Sequence, residues 1–194
     1  MEPKNYRLDD PLASIVEDVT AAFAALTAEL AFVRGVCDAI GIANTAPELC
    51  TMLCRTFARA IDSRCVSIFW GDAKSPFRLQ AQWTSSPLIE DFPATIAGSP
   101  VALTLEESGK PILIHDLSSH PLRSPEWPFP SDLVAFFLVP LVFRKKVRGT
   151  VCFCDNRPNI FDESKFLAVM SVVPPVVSTM TRLDPGGYER GIET

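Results

Sequence analysis

Six cysteines and two histidines are the side chains of this 194-residue chain best suited to nucleophilic, redox or metal chemistry: Cys37, Cys50, Cys54, Cys65, Cys152, Cys154, His115 and His120. Cys50 and Cys54 are four apart, which on a helix sets both thiols on one face. Cys152 and Cys154 are two apart, which on a strand does the same. Either pair could hold zinc or act in redox sensing, but no paired C-x-x-C motif accompanies them and the cysteines sit inside apolar patterns, so reduced core thiols are the expectation. Val151 and Phe153 around Cys152 and Cys154 would raise a thiol pKa rather than lower it. His115 and His120 could each offer an axial ligand to haem. The competing reading is a strand-end His115 bonded to its neighbours and an exposed His120 in a turn. Neither histidine is paired by sequence with a credible Ser or Cys nucleophile. The residues point to a protein that is not an enzyme, with no metal site and no identified cofactor.

The elements that must position these residues are legible from periodicity. From Leu12 the apolar positions run Val16, Val19, Phe23, Leu26, Leu30, Val33, Cys37 and Ile40, a heptad seam that predicts a helix of about thirty residues, roughly 45 Å long. Asp10 and Pro11 supply its start and Gly41 its stop. So long a rod predicts a parallel homodimer through the Leu12 to Ile40 helix, the alternative being an amphipathic helix folded back on its own domain. A second helix opens on the capping box Thr45-Ala-Pro-Glu48 and carries Leu49, Leu53, Phe57 and Ile61. Cys65 to Trp70 reads as a strand, and so does Phe77 to Trp83, where apolar and polar residues alternate. A loop over 84–98, a short helix from Ser99 to Gly109 and a strand from Ile112 to His115 follow. The proline-rich stretch from Asp116 to Asp132 reads as a long ordered loop over the sheet. Leu133 to Phe143 and Val147 to Cys154, joined by a basic turn, are nearly continuously apolar, so both of their faces must be covered. Asp162 caps a last helix reaching Leu183, in which Pro174 and Pro175 predict a kink. The expected division is an N-terminal helix over 1–28, a single domain over 29–183 and a flexible tail over 184–194.

Composition bounds the function. With 47% of residues hydrophobic there is enough apolar material for a core, which excludes global disorder. Eighteen Lys and Arg against 23 Asp and Glu give a net charge of −5, the wrong sign for a nucleic-acid partner. The longest apolar stretch, Leu133 to Phe143, is about half a membrane span and contains Pro140, so no membrane segment is expected. Glu2, Asp9 and Asp10 precede any apolar run, unlike a secretory signal, which leaves the cytoplasm as the default location.

Gly109-Lys-Pro-Ile-Leu-Ile-His-Asp116, the pair Phe137-Leu-Val-Pro-Leu141 and Arg148-Gly-Thr-Val-Cys-Phe153 about a basic turn, and Phe161-Asp-Glu163 stand in an order and spacing that resembles the GAF domain. The resemblance covers about Glu29 to Leu183. It implies an α+β fold, a six-stranded antiparallel sheet flanked by helices, here with a long N-terminal and a C-terminal helix. It also implies a sensory or regulatory module that binds a small ligand between sheet and loop and signals through dimerising terminal helices to a downstream domain or protein. By that resemblance the pocket is lined by Trp83, Phe92, His115, Asp116, His120, Trp127 and Phe136. Cyclic-nucleotide members carry an Asn-Lys, Phe, Asp-Glu pattern. Asn156-Arg157, Phe161 and Asp162-Glu163 approach it with altered spacing, so Asp162 and Glu163 read better as helix N-terminal charges. A covalent bilin is disfavoured because no cysteine lies between Trp83 and Val151. The same gap weighs against the family's free-methionine sulfoxide reductases, whose chemistry needs activated pocket thiols. A platform that dimerises and binds nothing small is the other reading. A pocket filled by the protein's own Trp and Phe would favour the platform, and an open, partly polar one the sensor.

Overall fold

The computed structural model describes residues 11–71, 77–85 and 92–184. Asp10, read as a helix cap, and the tail beyond Asp184 lie outside them. The elements in order are α1 (Pro11–Ile42), α2 (Ala46–Ile61), β1 (Cys65–Trp70), β2 (Arg78–Thr84), α3 (Pro100–Ser108), β3 (Ile112–Ile114), a 3-10 turn (Leu117–Ser119), β4 (Ala135–Phe143), β5 (Lys146–Asp155) and α4 (Glu163–Leu183). The strands form one antiparallel sheet in the order β2-β1-β5-β4-β3.

The local signals account for the element ends. Thr45 Oγ1 accepts from the Glu48 amide at 3.3 Å, and the Glu48 carboxylate reaches back to the Asn44 amide at 2.9 Å, closing the capping box one residue upstream. Ser99 caps α3, and Gly109 ends it in the left-handed region at φ 60°, its N–H donating to the Leu105 carbonyl. Asp162 accepts from the Lys165 amide and so caps α4, the role its sequence position implied. α4 carries Pro174 and Pro175 on its exposed side and continues through them to Leu183.

β4 and β5 are apolar for most of their length and buried on both faces. On one face Val66, Ile68, Phe137, Val139, Val151 and Phe153 form a core with α2, α4 and the last third of α1. On the other, Cys65, Phe69, Phe136, Leu138, Cys152 and Cys154 pack against α3 and the loop that leads into β4. Gly149 is where β1 and β5 approach most closely. A Cβ there would collide with the Phe69 carbonyl, so only glycine fits.

One expectation needs correction. The sheet has five strands among the described residues, not six. Alongside β2 the chain makes only an isolated bridge, Arg78 to Thr95, flanked by bonds from Leu79 N to the Ala94 carbonyl and Ile96 N to the Phe77 carbonyl. Pro93 has no amide to extend this ladder, and Gly98, at φ 76°, turns the chain away. The heptad seam divides: Val33 and Ile40 near its end are partly buried against the core, and the part before them is exposed. Phe32, Val36, Ala39 and Ala43 are the buried positions, one residue off Val33, Cys37 and Ile40, while the seam residues Val16, Val19, Phe23, Leu26 and Leu30 are exposed, Phe23 to 71%. The helix is continuous across residues 28 and 29, and its burial begins at Phe32. Ser14–Ile42 and Lys165–Leu183 are also long and apolar enough to cross a bilayer, which a search for unbroken apolar runs overlooks; much of α4 packs on the sheet, whereas α1 from Ser14 to Ala31 is exposed.

Asp155, at the end of β5, is wholly buried and fully bonded. Its Oδ1 accepts from the Arg157 amide and Nε, both at 2.9 Å, and its Oδ2 accepts from Arg157 Nη2 at 2.9 Å and the Arg64 amide at 3.1 Å. Burial alone would raise its pKa, but the Arg157 bonds and charge and the Arg64 amide outweigh it and hold the carboxyl below its ordinary value. A depressed carboxylate pKa stabilises the fold at pH above the unfolded value of about 3.9, and that contribution is lost as pH falls through the folded value. Asp155→Asn should therefore cost about 2 kcal/mol at pH 7 in chemical denaturation, and the difference from the unaltered protein should shrink as the pH is lowered below about 4.

Candidate functional site

The loop between β3 and β4 is built from its own hydrogen bonds. Asp116 caps the 3-10 turn by accepting from the Ser118 amide at 2.8 Å and from the Ser118 hydroxyl, and these bonds hold its carboxyl below the ordinary value. The His120 amide donates to the Leu117 carbonyl, His120 Nδ1 accepts from the Leu122 amide at 3.2 Å, and Arg123 donates through its amide to the His120 carbonyl and through Nη1 to the Ser118 carbonyl. The loop's two ends are joined by Leu117 N to the Val134 carbonyl at 2.7 Å. Val134 N in turn donates to the Asp155 carbonyl at 3.0 Å, which fastens the loop to the buried carboxylate's own residue.

Beneath the loop lie two different environments. Over the middle of the sheet, Phe92, Trp127, Phe129 and Phe136 pack ring against ring, with Trp127 to Phe136 at 5.0 Å and Phe129 to Phe136 at 5.3 Å. This aromatic plug fills the space expected of a pocket. Beside it is a cavity of about 300 Å³, the size of a small-ligand site. Its apolar lining includes Leu117, Trp127, Phe129 and Leu133, and its polar lining comes from Ser118, Arg123, Ser124 and Ser131. Among the described residues three buried side-chain polar atoms lack a hydrogen-bond partner, Ser67 Oγ, Ser124 Oγ and Trp127 Nε1, and two of the three belong to residues of this lining. A buried unpaired donor costs about 1–3 kcal/mol, and these two atoms are closed off from the cavity rather than open to it.

Of the seven residues expected at a pocket, Trp127 lines the cavity, while Phe92 and Phe136 belong to the plug beside it. Asp116 and His120 shape the loop through the bonds described above. His115 is exposed at the end of β3, where its carbonyl accepts from Asn159 N. Trp83 is not brought there at all. Paired opposite Val66, it lies on the helix-covered face of the sheet. Arg123, Ser124, Leu133 and Ser131 were missed because a proline-rich stretch gives no period from which side-chain direction can be read. The four serines and one arginine between Asp116 and Asp132 were the available signal.

The thiols lie elsewhere. Cys65, Cys152 and Cys154 cluster on the loop-side face of the sheet, Cys65 opposite Cys154 in register and the Sγ atoms of Cys152 and Cys154 3.8 Å apart. Cys50 and Cys54 are buried on α2. Burial pushes the Cys50 thiol up to about 12 and drives Cys54 and Cys154 well above the ordinary value, reinforced for the latter two by neighbouring cysteines. No group of three or more His, Cys, Asp or Glu side chains arranged so that it could hold a metal ion occurs among the described residues.

The family model of the GAF domain matches residues 43–173, more than half of the chain. The GAF domain of a phosphoenolpyruvate-protein phosphotransferase from Acinetobacter is similar in structure, with a TM-score of 0.66 and 17% identity over 82% of this chain and 97% of that one. The free methionine-R-sulfoxide reductase of Neisseria meningitidis, in complex with its substrate, has a TM-score of 0.69 and 13% identity over 84% and 93% of the two chains. A far-red absorbing protein with bound biliverdin IXa has a TM-score of 0.59 and 13% identity over 79% and 99%. At such identities these likenesses speak for the fold. No curated protein matches the sequence significantly.

Five of the six cysteines are buried and Cys37 is exposed. Titration of the folded protein with a thiol reagent at pH 8 should label no more than Cys37, and all six should react once the chain is unfolded. Rapid native labelling of Cys152 or Cys154 would reopen a thiol mechanism.

Proposed function

The chain belongs to the GAF family of sensory and regulatory domains, and we propose that it acts as a ligand-responsive dimer that signals through its terminal helices and catalyses no reaction. The observation that carries the ligand is the cavity of about 300 Å³ beneath the loop, with Ser118, Arg123 and Ser131 among its lining. The burial of the strand and α2 thiols, and the absence of cysteine between Cys65 and Cys152, argue against a reductase.

The dimer rests on the exposed seam of α1. Val16, Val19, Phe23, Leu26 and Leu30 are large, apolar and more than half exposed, and each returns about 1.5 kcal/mol or more on full burial. A second copy of the same helix in parallel would cover them at heptad spacing. Glu17, Asp18, Glu29, Arg34 and Asp38, spread along the helix, favour a partner helix over a bilayer core. Five buried free thiols suit the reducing cytoplasm. The route from cavity to helix is short. Val134 lines the cavity and bonds to Asp155, Arg157 links Asp155 to the Asp62 carbonyl at the end of α2 at 3.1 Å, and α2 packs against α1. A ligand that shifts the loop would pull on this chain of contacts.

The aromatic plug favours the second reading, a dimerising platform that binds nothing small. Native mass spectrometry of protein purified without refolding separates the two. A dimer carrying a small adduct, lost in Ser124→Phe, is the expected result; a bare dimer would support the platform. Phe23→Glu with Leu26→Glu should convert the dimer to a folded monomer in sedimentation, and a variant that still dimerises would remove the seam from the account.

A further inference from the structure

The tip of the β4–β5 hairpin gathers positive charge on an acidic chain. No Asp or Glu stands between Asp132 and Asp155, and within that stretch Arg144, Lys145, Lys146 and Arg148 fall inside five positions of a chain whose net charge is −5. Phe143 pairs with Lys146, so Arg144 and Lys145 are the two residues of the turn, and both are left-handed, at φ 47° and 65°. A two-residue turn of this kind favours Asn-Gly, because a side chain is strained there. Leu141 pairs with Gly149 and Val142 with Val147, which makes Arg148 the extra residue of a bulge. Its carbonyl accepts from Gly71 N at 3.1 Å and its Nε donates to the Gly71 carbonyl at 3.2 Å. Both departures from a regular hairpin therefore fall on cations, and strained or bulged positions are kept where they aim a side chain. Arg144, Lys145 and Lys146 are exposed. The tip abuts the end of α4: Trp70, Phe143, Arg148, Thr181 and Asp184 line one narrow crevice there, and the same last turn carries Arg182.

We propose that this hairpin tip is a docking site for an acidic segment of a partner polypeptide, whose carboxylates pair with Arg144, Lys145 and Lys146 beside the last turn of α4. Guanidinium and ammonium groups both bond carboxylates, and the guanidinium does so in two-point fashion. A bilayer or a nucleic acid presents its charge over an area wider than the tip and would meet the chain's excess of carboxylates, whereas a short acidic segment meets the tip alone. Phe143 is half-buried and has the Arg144 guanidinium 5.4 Å over its ring, which makes it a poor bilayer anchor or base-stacking platform. The assignment does not depend on what fills the cavity or on the seam of α1. A partner held here lies against α4, one of the two terminal helices.

The test titrates the full chain into rhodamine-labelled octaglutamate at low salt and follows fluorescence anisotropy. The anisotropy should rise saturably, and the affinity should fall as salt is added. Arg144→Asn with Lys145→Gly should weaken binding about fivefold or more, with a thermal midpoint equal to or above that of the unaltered protein, because Asn-Gly relaxes the turn. Lys146→Gln, which leaves the turn untouched, should weaken it about twofold. Arg55→Gln with Arg59→Gln removes the same charge from the exposed side of α2 and should change the affinity by less than about twofold. Vesicles containing phosphatidylserine and a DNA duplex, titrated under the same conditions, should bind more weakly than the peptide. Absence of saturable octaglutamate binding, or equal losses in the two double variants, overturns the site. Tighter binding of the vesicles or the duplex overturns the choice of an acidic polypeptide.

Discussion

Nearly everything in this domain follows from a hairpin that cannot face water on either side. β4 and β5 bury Ala135 through Leu141 and Gly149 through Asp155 on both faces, and a two-sided apolar sheet must be covered twice. The helix-side cover is regular: α2 and α4 lay periodic stripes on it, and α1 joins them from Phe32 onward. The second cover is a short helix, a 3-10 turn and an irregular loop, held together by capped turns and an aromatic cluster. The cavity lies within that irregular cover, between the 3-10 turn and the entry to β4. In this account the scaffold is rigid where it is regular and receptive where it is not.

The sequence disclosed what depends on neighbours in the chain. The capping residues Thr45, Ser99 and Asp162, the stop at Gly109 and the apolar runs of β4 and β5 all carry local signals, and the structure uses each as read. Long-range register decides what was not legible. Trp83 alternates with Gln82 in any strand, but only its pairing with Val66 fixes which of the two faces the helices. The α1 seam was visible, yet its offset of one residue from Phe32, Val36 and Ala39 depends on where α2 lies. The sixth strand of the family pattern shrinks to a single bridge because Pro93 and Gly98 bracket it. The cavity's polar lining was hidden for a different reason: side-chain direction in a proline-rich loop follows turn geometry, not a period.

Asp155 links these parts. Its carboxylate organises the turn after β5 and the entry to β1, and its carbonyl anchors Val134 where the loop enters β4. A buried carboxylate with four donors is satisfied, so it specifies one arrangement of three chain segments. The same residue stands between the cavity and α2, and therefore one bonded step from the packing that orients α1. Coupling through such a junction needs only two discrete loop positions, biased by whether the cavity beneath the loop is occupied.

A crystal structure of the protein purified without refolding tests the central claim most directly, because it shows whether anything occupies the cavity. The account predicts ordered non-protein density there, beside Ser118, Arg123 and Ser131. A cavity that has collapsed or holds only solvent would contradict it, and would leave the domain a dimerising platform whose loop merely closes the sheet.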